Sequence, residues 1–293
     1  MLSRNQREPP QPLAQTRPRL GLVAGLIAPL FLWCLAPAVP EAHSIQTLAK
    51  TRTQAVRLPG EGLYQAGWLT APVDRNQGRL PAVILLHGWL SDGTPGAETM
   101  ADVAMDLAGR GFVVLSLSLR GWPDTGGEDD CALRQPRDVA RAAEWLAAQP
   151  RVDGARIAVL GLSQGGQVAL LAGAVSPRLG AIVALAAPTD LGRWAVTSDE
   201  PGVAAYVRES CGGSRAELIA RNPVDQAGRI RVPVLLVHGE ADRRVPPDQS
   251  RRMAKALNRA GGSVDLHWVA RAGHDLDLIY DGDRIGDWLL AHL

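Results

Sequence analysis

Residues 156–174 read RIAVLGLSQGGQVALLAGA. An apolar run (Arg156–Leu160) passes directly into Gly161-Leu162-Ser163-Gln164-Gly165, and a helical stretch follows from Gln164 to Ala174. That order predicts strand, sharp turn and helix, with a serine at the apex of the turn. The glycines have a physical task there, because the turn strains the serine backbone and brings strand and helix too close for a Cβ. Such a turn lifts the serine oxygen above the strand end. It also points the Gln164 N–H, at the helix start, toward a developing negative oxygen. With 31 glycines in the chain a chance match is the competing reading; the strand-turn-helix setting argues against it.

Outward from this turn, apolar runs alternate with amphipathic stretches. Ala82–Leu86, Phe112–Leu117, Ala181–Ala186, Val234–Val237 and Val264–Val269 read as strands. Near-continuous apolar strands suit a parallel sheet covered on both faces. In Asp138–Gln149, Val139, Ala142, Ala143 and Leu146 recur at helical spacing before Pro150; in Pro247–Ala260, Met253, Ala256, Leu257 and Ala260 do so before Gly261-Gly262. A last helix carries Ile285, Trp288 and Leu289 on one face. Regular alternation predicts an α/β fold with a doubly wound, mostly parallel sheet. Ala55–Pro72 reads as two antiparallel strands at its edge. About 188–232 is far longer than an ordinary connection, and it carries Trp194, Tyr206, Cys211 and Gly212-Gly213. It reads as a lid or pocket wall.

A serine hydroxyl needs a base to take its proton. Of six histidines, His43 and His292 lie near the ends, His267 lies in a strand, and His87 and His238 end strands in His-Gly pairs. His274, in the loop after the last strand, is the candidate base, following the chain order serine, acid, histidine. Asp242, after Val234–Val237, is the first choice for the carboxylate that orients it, with Glu240 and Asp190 as alternatives. His87-Gly88-Trp89 ends the strand Ala82–Leu86, so the backbone N–H of Trp89 is expected to join that of Gln164 in an oxyanion site. Trp89, Trp122 and Trp194 fall beyond strand ends and are expected to form an apolar substrate wall; the alternative is that they close loop cores. Glu128, Asp129 and Asp130 either bias the mouth against anions or are simply solvated.

These positions resemble the α/β-hydrolase superfamily, and within it the branch of dienelactone hydrolases and prolyl-oligopeptidase-like catalytic domains. The resemblance runs from about Ala55 to the C-terminus and rests on LLHGW, AVLGLSQGG, PVLLVHGEADRRVP and RAGHD. It implies a serine hydrolase with a Ser163–Asp242–His274 triad. Dienelactone hydrolases carry a cysteine nucleophile where this chain has Ser163, so lactone specificity is not implied. The sequence shows no N-terminal propeller, so exclusion of long peptides is not expected to carry over.

Lys and Arg number 31 against 30 Asp and Glu, which lacks the basic excess of a nucleic-acid binder. No spacing suggests a metal, and no cofactor is expected. At the N-terminus Arg4, Arg7, Arg17 and Arg19 precede the uncharged run Leu20–Val39, with Ala36-Pro37-Ala38 near its end. Residues 1–42 therefore read as a signal peptide, or as an uncleaved anchor, which would be the one membrane contact, ahead of a catalytic domain at 43–293. Either way export to the periplasm or medium is expected. Cys131 and Cys211 would then meet an oxidising compartment and can pair; two separate buried thiols are the alternative. The expected reaction is hydrolysis of a carboxylic ester, with a short peptide as the alternative substrate. A non-catalytic binding protein on a hydrolase scaffold is the second alternative, and the presence of all three triad members argues against it.

Overall fold

The computed structural model describes residues 46–48, 51–74, 78–89, 96–122 and 124–293. The segment read as a leader or anchor lies outside the described residues. The described strands are β1 (Gln46–Leu48), β2 (Thr51–Pro59), β3 (Tyr64–Pro72), β4 (Leu80–Leu86), β5 (Val113–Leu117), β6 (Val152–Leu162), β7 (Ala181–Leu185), β8 (Val234–Gly239) and β9 (Val264–Val269). They form one sheet in the order β1-β2-β3-β5-β4-β6-β7-β8-β9. Pairing is antiparallel from β1 through β3 to β5 and parallel from β5 onward. The helices are α1 (Ala101–Gly109), α2 (Gln135–Ala147), α3 (Gln164–Gly173), α4 (Leu191–Thr197), α5 (Val203–Ser210), α6 (Arg215–Arg221), α7 (Pro223–Gln226), α8 (Asp248–Arg259), α9 (Leu276–Ile279) and α10 (Gly282–His292).

The apolar strands are explained by burial on both sides. In β4, Ala82, Ile84 and Leu86 join a core with Val139 and Leu146 of α2, Val168 of α3 and Leu257 of α8. Val83 and Leu85 point the other way, to Leu107 of α1 and to Ile285 and Leu289 of α10. Full burial of a side chain of this size is worth ~1.5–3 kcal/mol. α2 begins at Gln135, earlier than the apolar periodicity suggests, because Pro136 is tolerated in a first helical turn.

Two consequences of the topology position the site. The chain leaves β4 for β5 and leaves β6 for β7, in opposite directions along the sheet, and these two strands are neighbours, with Leu86 of β4 registered on Gly161 of β6. A crevice outside the carboxyl ends of the strands is expected at such a switch point. The connection from β7 to β8 holds α4–α7, and a small separate core of Leu191, Trp194, Val203, Val207, Cys211, Cys131 and Val245 holds it down. Among the described residues no helix is long and apolar enough to cross a membrane.

Candidate active site

Ser163 stands between β6 and α3 with φ 53° and ψ −117°, a left-handed backbone that is costly for any residue bearing a Cβ. Its N–H donates to Leu185 O at 2.8 Å, which pins the turn. A Cβ on Gly165 would overlap the backbone carbonyls of Leu86 and His87, so α3 approaches β4 this closely only with glycine there.

Three loops converge on that serine. His274, after β9, sets Nε2 2.9 Å from Ser163 Oγ and Nδ1 2.7 Å from Asp242 Oδ2. Asp242, after β8, is 3% exposed, and its Oδ1 accepts the Val245 N–H at 2.9 Å. Burial alone would raise its pKa. Hydrogen bonds from His238 and His274, the charge of His274 and the Val245 N–H outweigh burial and hold it at about 2. The other candidate acids are elsewhere: Glu240 is exposed, and Asp190 caps α4 and pairs with Arg252 at 2.6 Å. His238 is buried, bonded to Ser250 Oγ and Val245 O at 2.7 and 2.8 Å.

The loop after β4 is set by His87, fully buried. Leu119 N–H donates to its Nε2 at 3.0 Å, so Nδ1 carries the ring proton and donates to Gly88 O at 2.7 Å. Burial lowers the His87 pKa to about 4, against the opposing pull of the Gly88 carbonyl, so the ring is neutral at pH 7. In a trans peptide the Trp89 N–H lies opposite the Gly88 carbonyl and therefore faces away from the imidazole. A Cβ on Gly88 would sit 3.4 Å from Ser163 Cβ, so this peptide borders the serine.

A cavity of about 530 Å³ opens over Ser163 and His274. Trp89 and Trp194 line it, together with Val203 and Tyr206 from the long β7–β8 connection and Met100, which no sequence pattern marked. Tyr206 lies between the two tryptophans, 6.3 Å from each ring. Trp194 is anchored by a 2.7 Å bond from Nε1 to Arg244 O. Trp122 needs correcting: it is 5% exposed, does not line the cavity, and packs edge-on against His87 at 4.6 Å. It closes the core beneath the loop that carries Gly88. Cys131 and Cys211 form a disulfide. Asp129, read as mouth or solvated loop, is neither, since its carboxylate bonds Gln164 and Tyr206.

The prolyl oligopeptidase family matches residues 72–293. An uncharacterized Mycobacterium tuberculosis protein is 31% identical over 252 residues, 84% of this chain and 80% of its own. Acylamino-acid-releasing enzyme 2 of Oryza sativa subsp. japonica is 24% identical over 239 residues, 73% of this chain and 30% of its own; this chain thus spans about a third of that relative. Among solved structures, Pyrococcus horikoshii acylaminoacyl peptidase superposes with TM-score 0.67 at 18% identity, over 83% of this chain and 41% of its own. Acetyl xylan esterase 1 of Thermoanaerobacterium superposes with TM-score 0.64 at 20% identity, over 85% and 84%. At such identities these superpositions bear on the fold alone.

Proposed function

The chain belongs to the prolyl oligopeptidase family of serine hydrolases, and from that premise we propose that it cleaves carboxylic esters of bulky apolar acyl groups through an acyl-enzyme on Ser163. The observation that carries this reading is the relay of 2.9 and 2.7 Å bonds from Ser163 through His274 to Asp242, opening onto an aromatic-walled cavity.

In this mechanism His274 Nε2 takes the Ser163 proton as Oγ attacks the carbonyl carbon. Asp242 fixes the imidazole tautomer and stabilises the imidazolium. The N–H groups of Gln164 and Trp89 hold the oxyanion, and each such donor is typically worth ~10²–10³ in rate. Collapse expels the alcohol, which leaves with the proton from His274. Water, deprotonated by His274, then releases the acid and restores the hydroxyl. Trp89, Trp194 and Tyr206 receive the acyl group.

Short peptides are the second reading, favoured by the family and by relatives named as peptidases; the acyl-enzyme would be the same and the leaving group an amine. A fluorophosphonate reaction followed by peptide mapping, then parallel assays on p-nitrophenyl esters and on aminoacyl and prolyl p-nitroanilides, separate the two. The proposal expects the label on Ser163 and faster ester turnover. Faster anilide turnover would replace it with the peptidase reading, and a label on another residue would overturn both.

The domain at 43–293 is further proposed to act after export, with residues 1–42 as its leader. The charged-then-apolar N-terminal pattern and the Cys131–Cys211 disulfide support this. Cell fractionation with N-terminal sequencing tests it; protein confined to the cytoplasm would refute it.

A further inference from the structure

We infer that Asp129 is a positioning residue that shapes the substrate cavity by clamping the nucleophile turn to lid helix α5, beside the Cys131–Cys211 disulfide. This rests on the hydrolase reading above.

Asp129 lies in the loop between β5 and α2 and does not line the cavity, whereas the two side chains it holds from other parts of the chain do. Gln164 Nε2 donates to its Oδ1 and Oδ2 at 2.9 and 3.0 Å. The Tyr206 hydroxyl donates to Oδ2 at 3.2 Å and lies 3.3 Å from Gln164 Nε2. Burial, then the charge of Asp129, push the Tyr206 phenol well above its ordinary range, so it stays a donor.

The carboxylate is itself held. Its Oδ1 accepts the Cys131 N–H at 3.0 Å and Gln135 Nε2 at 3.2 Å. Gly121, at φ +97°, leaves room for the Asp129 backbone, which a Cβ would overlap. Cys131 and Ala132 follow at φ 53° and 62°, a strained pair of non-glycine residues. The disulfide runs from Cys131 to Cys211, which caps the C-terminus of α5, so one covalent bond and one hydrogen bond tie the Asp129 loop to the same lid helix.

The clamp decides which way the Gln164 amide faces. A carboxylate only accepts, so the NH2 end must point at Asp129. That leaves Gln164 Oε1 buried with no partner among the described residues, an arrangement that is costly unless the other end is held. Removing the carboxylate frees the amide to turn into the cavity and frees Tyr206 from its seat between Trp89 and Trp194. The backbone N–H of Gln164 stays fixed by α3. Bulky acyl groups should therefore suffer and small ones should not.

The test compares Asp129→Ala, Asp129→Asn and Tyr206→Phe on p-nitrophenyl acetate and p-nitrophenyl octanoate, with thermal unfolding as the folding control. Asp129→Ala is expected to lower the octanoate-to-acetate ratio of kcat/KM about tenfold, through KM, with acetate turnover nearly kept. Tyr206→Phe shifts the ratio the same way. Asn, whose side-chain oxygen still accepts from Gln164, restores most of it. A parallel arm in Ser163→Ala protein measures the affinity of the neutral apolar dye N-phenyl-1-naphthylamine with and without Asp129→Ala; about a tenfold loss is expected. This arm needs no catalysis, so it reports on the clamp even if wild-type protein turns over no ester. Equal losses on both esters, or an unchanged ratio and unchanged dye affinity, would overturn the inference.

Discussion

Replacing Asp242 by asparagine keeps the shape of the side chain and changes one atom, so its cost can be worked out from the hydrogen bonds. The Val245 N–H, 2.9 Å from Oδ1, requires an acceptor, so the amide oxygen takes that position and the NH2 turns to His274 Nδ1. The imidazole must then keep its proton on Nε2, against Ser163 Oγ, where a base is needed. Flipping the amide restores the working tautomer but sets two buried donors against each other, at ~1–3 kcal/mol per unsatisfied group. The imidazolium also loses a charge-assisted bond of ~1.5–3 kcal/mol. Central values give about 6 kcal/mol, or ~10⁴ in kcat at ~1.4 kcal/mol per tenfold. The assay is steady-state hydrolysis of p-nitrophenyl acetate at pH 7.5, with KM expected to change little. Asp242 titrates at about 2 in the fold against an ordinary 3.8. Its stabilising contribution is present above the ordinary value and is lost as pH falls through about 2, so the variant should lose that acid dependence. A folded Asp242→Asn protein that retained more than about a tenth of the activity would refute the reasoning.

Other consequences can be tested separately. His87 takes up its proton at about 4 in the fold and near 6.5 when unfolded. The stability this provides is complete above pH 6.5 and falls by about 3 kcal/mol as pH drops to 4; urea unfolding of His87→Gln should show a shallower decline, and an identical slope would count against a neutral buried ring. Changing Cys131 and Cys211 together to serine opens a loop with a sequence separation of 80. That is worth about 4–5 kcal/mol in the chain-entropy account and a Tm drop of roughly 10 °C by calorimetry; a Tm within about 2 °C of wild type would contradict it. Trp194→Ala should raise KM for long-chain esters about tenfold and leave acetate nearly unchanged; a constant KM across acyl lengths would remove Trp194 from the pocket.

Much of this was legible in the residues because burial writes itself into sequence. Strands covered on both faces appear as uninterrupted apolar runs such as AVILL, and the G-L-S-Q-G turn between β6 and α3 has few conformational alternatives. Chain order along the sheet pointed to His274 and put Asp242 ahead of Glu240 and Asp190, but the choice among the acids needed the hydrogen bond between His274 and Asp242. The long connection from β7 to β8 was visible as an interval but not as helices. α4, α5 and α6 are 7, 8 and 7 residues long, too short for a 3.6-residue period to declare itself, and they are held by a tertiary cluster. Trp122 was placed in the right loop, but whether a loop tryptophan faces the cavity or His87 depends on packing that no local pattern encodes. Asp129 illustrates the same limit, since its partners lie 35 and 77 positions away.

The most direct test of the nucleophile is to catch its acyl group. Wild-type protein quenched in acid during turnover of a p-nitrophenyl ester should gain the acyl mass, and peptide mapping should locate it on Ser163. An adduct on another residue, or undiminished turnover by Ser163→Ala protein, would contradict the account.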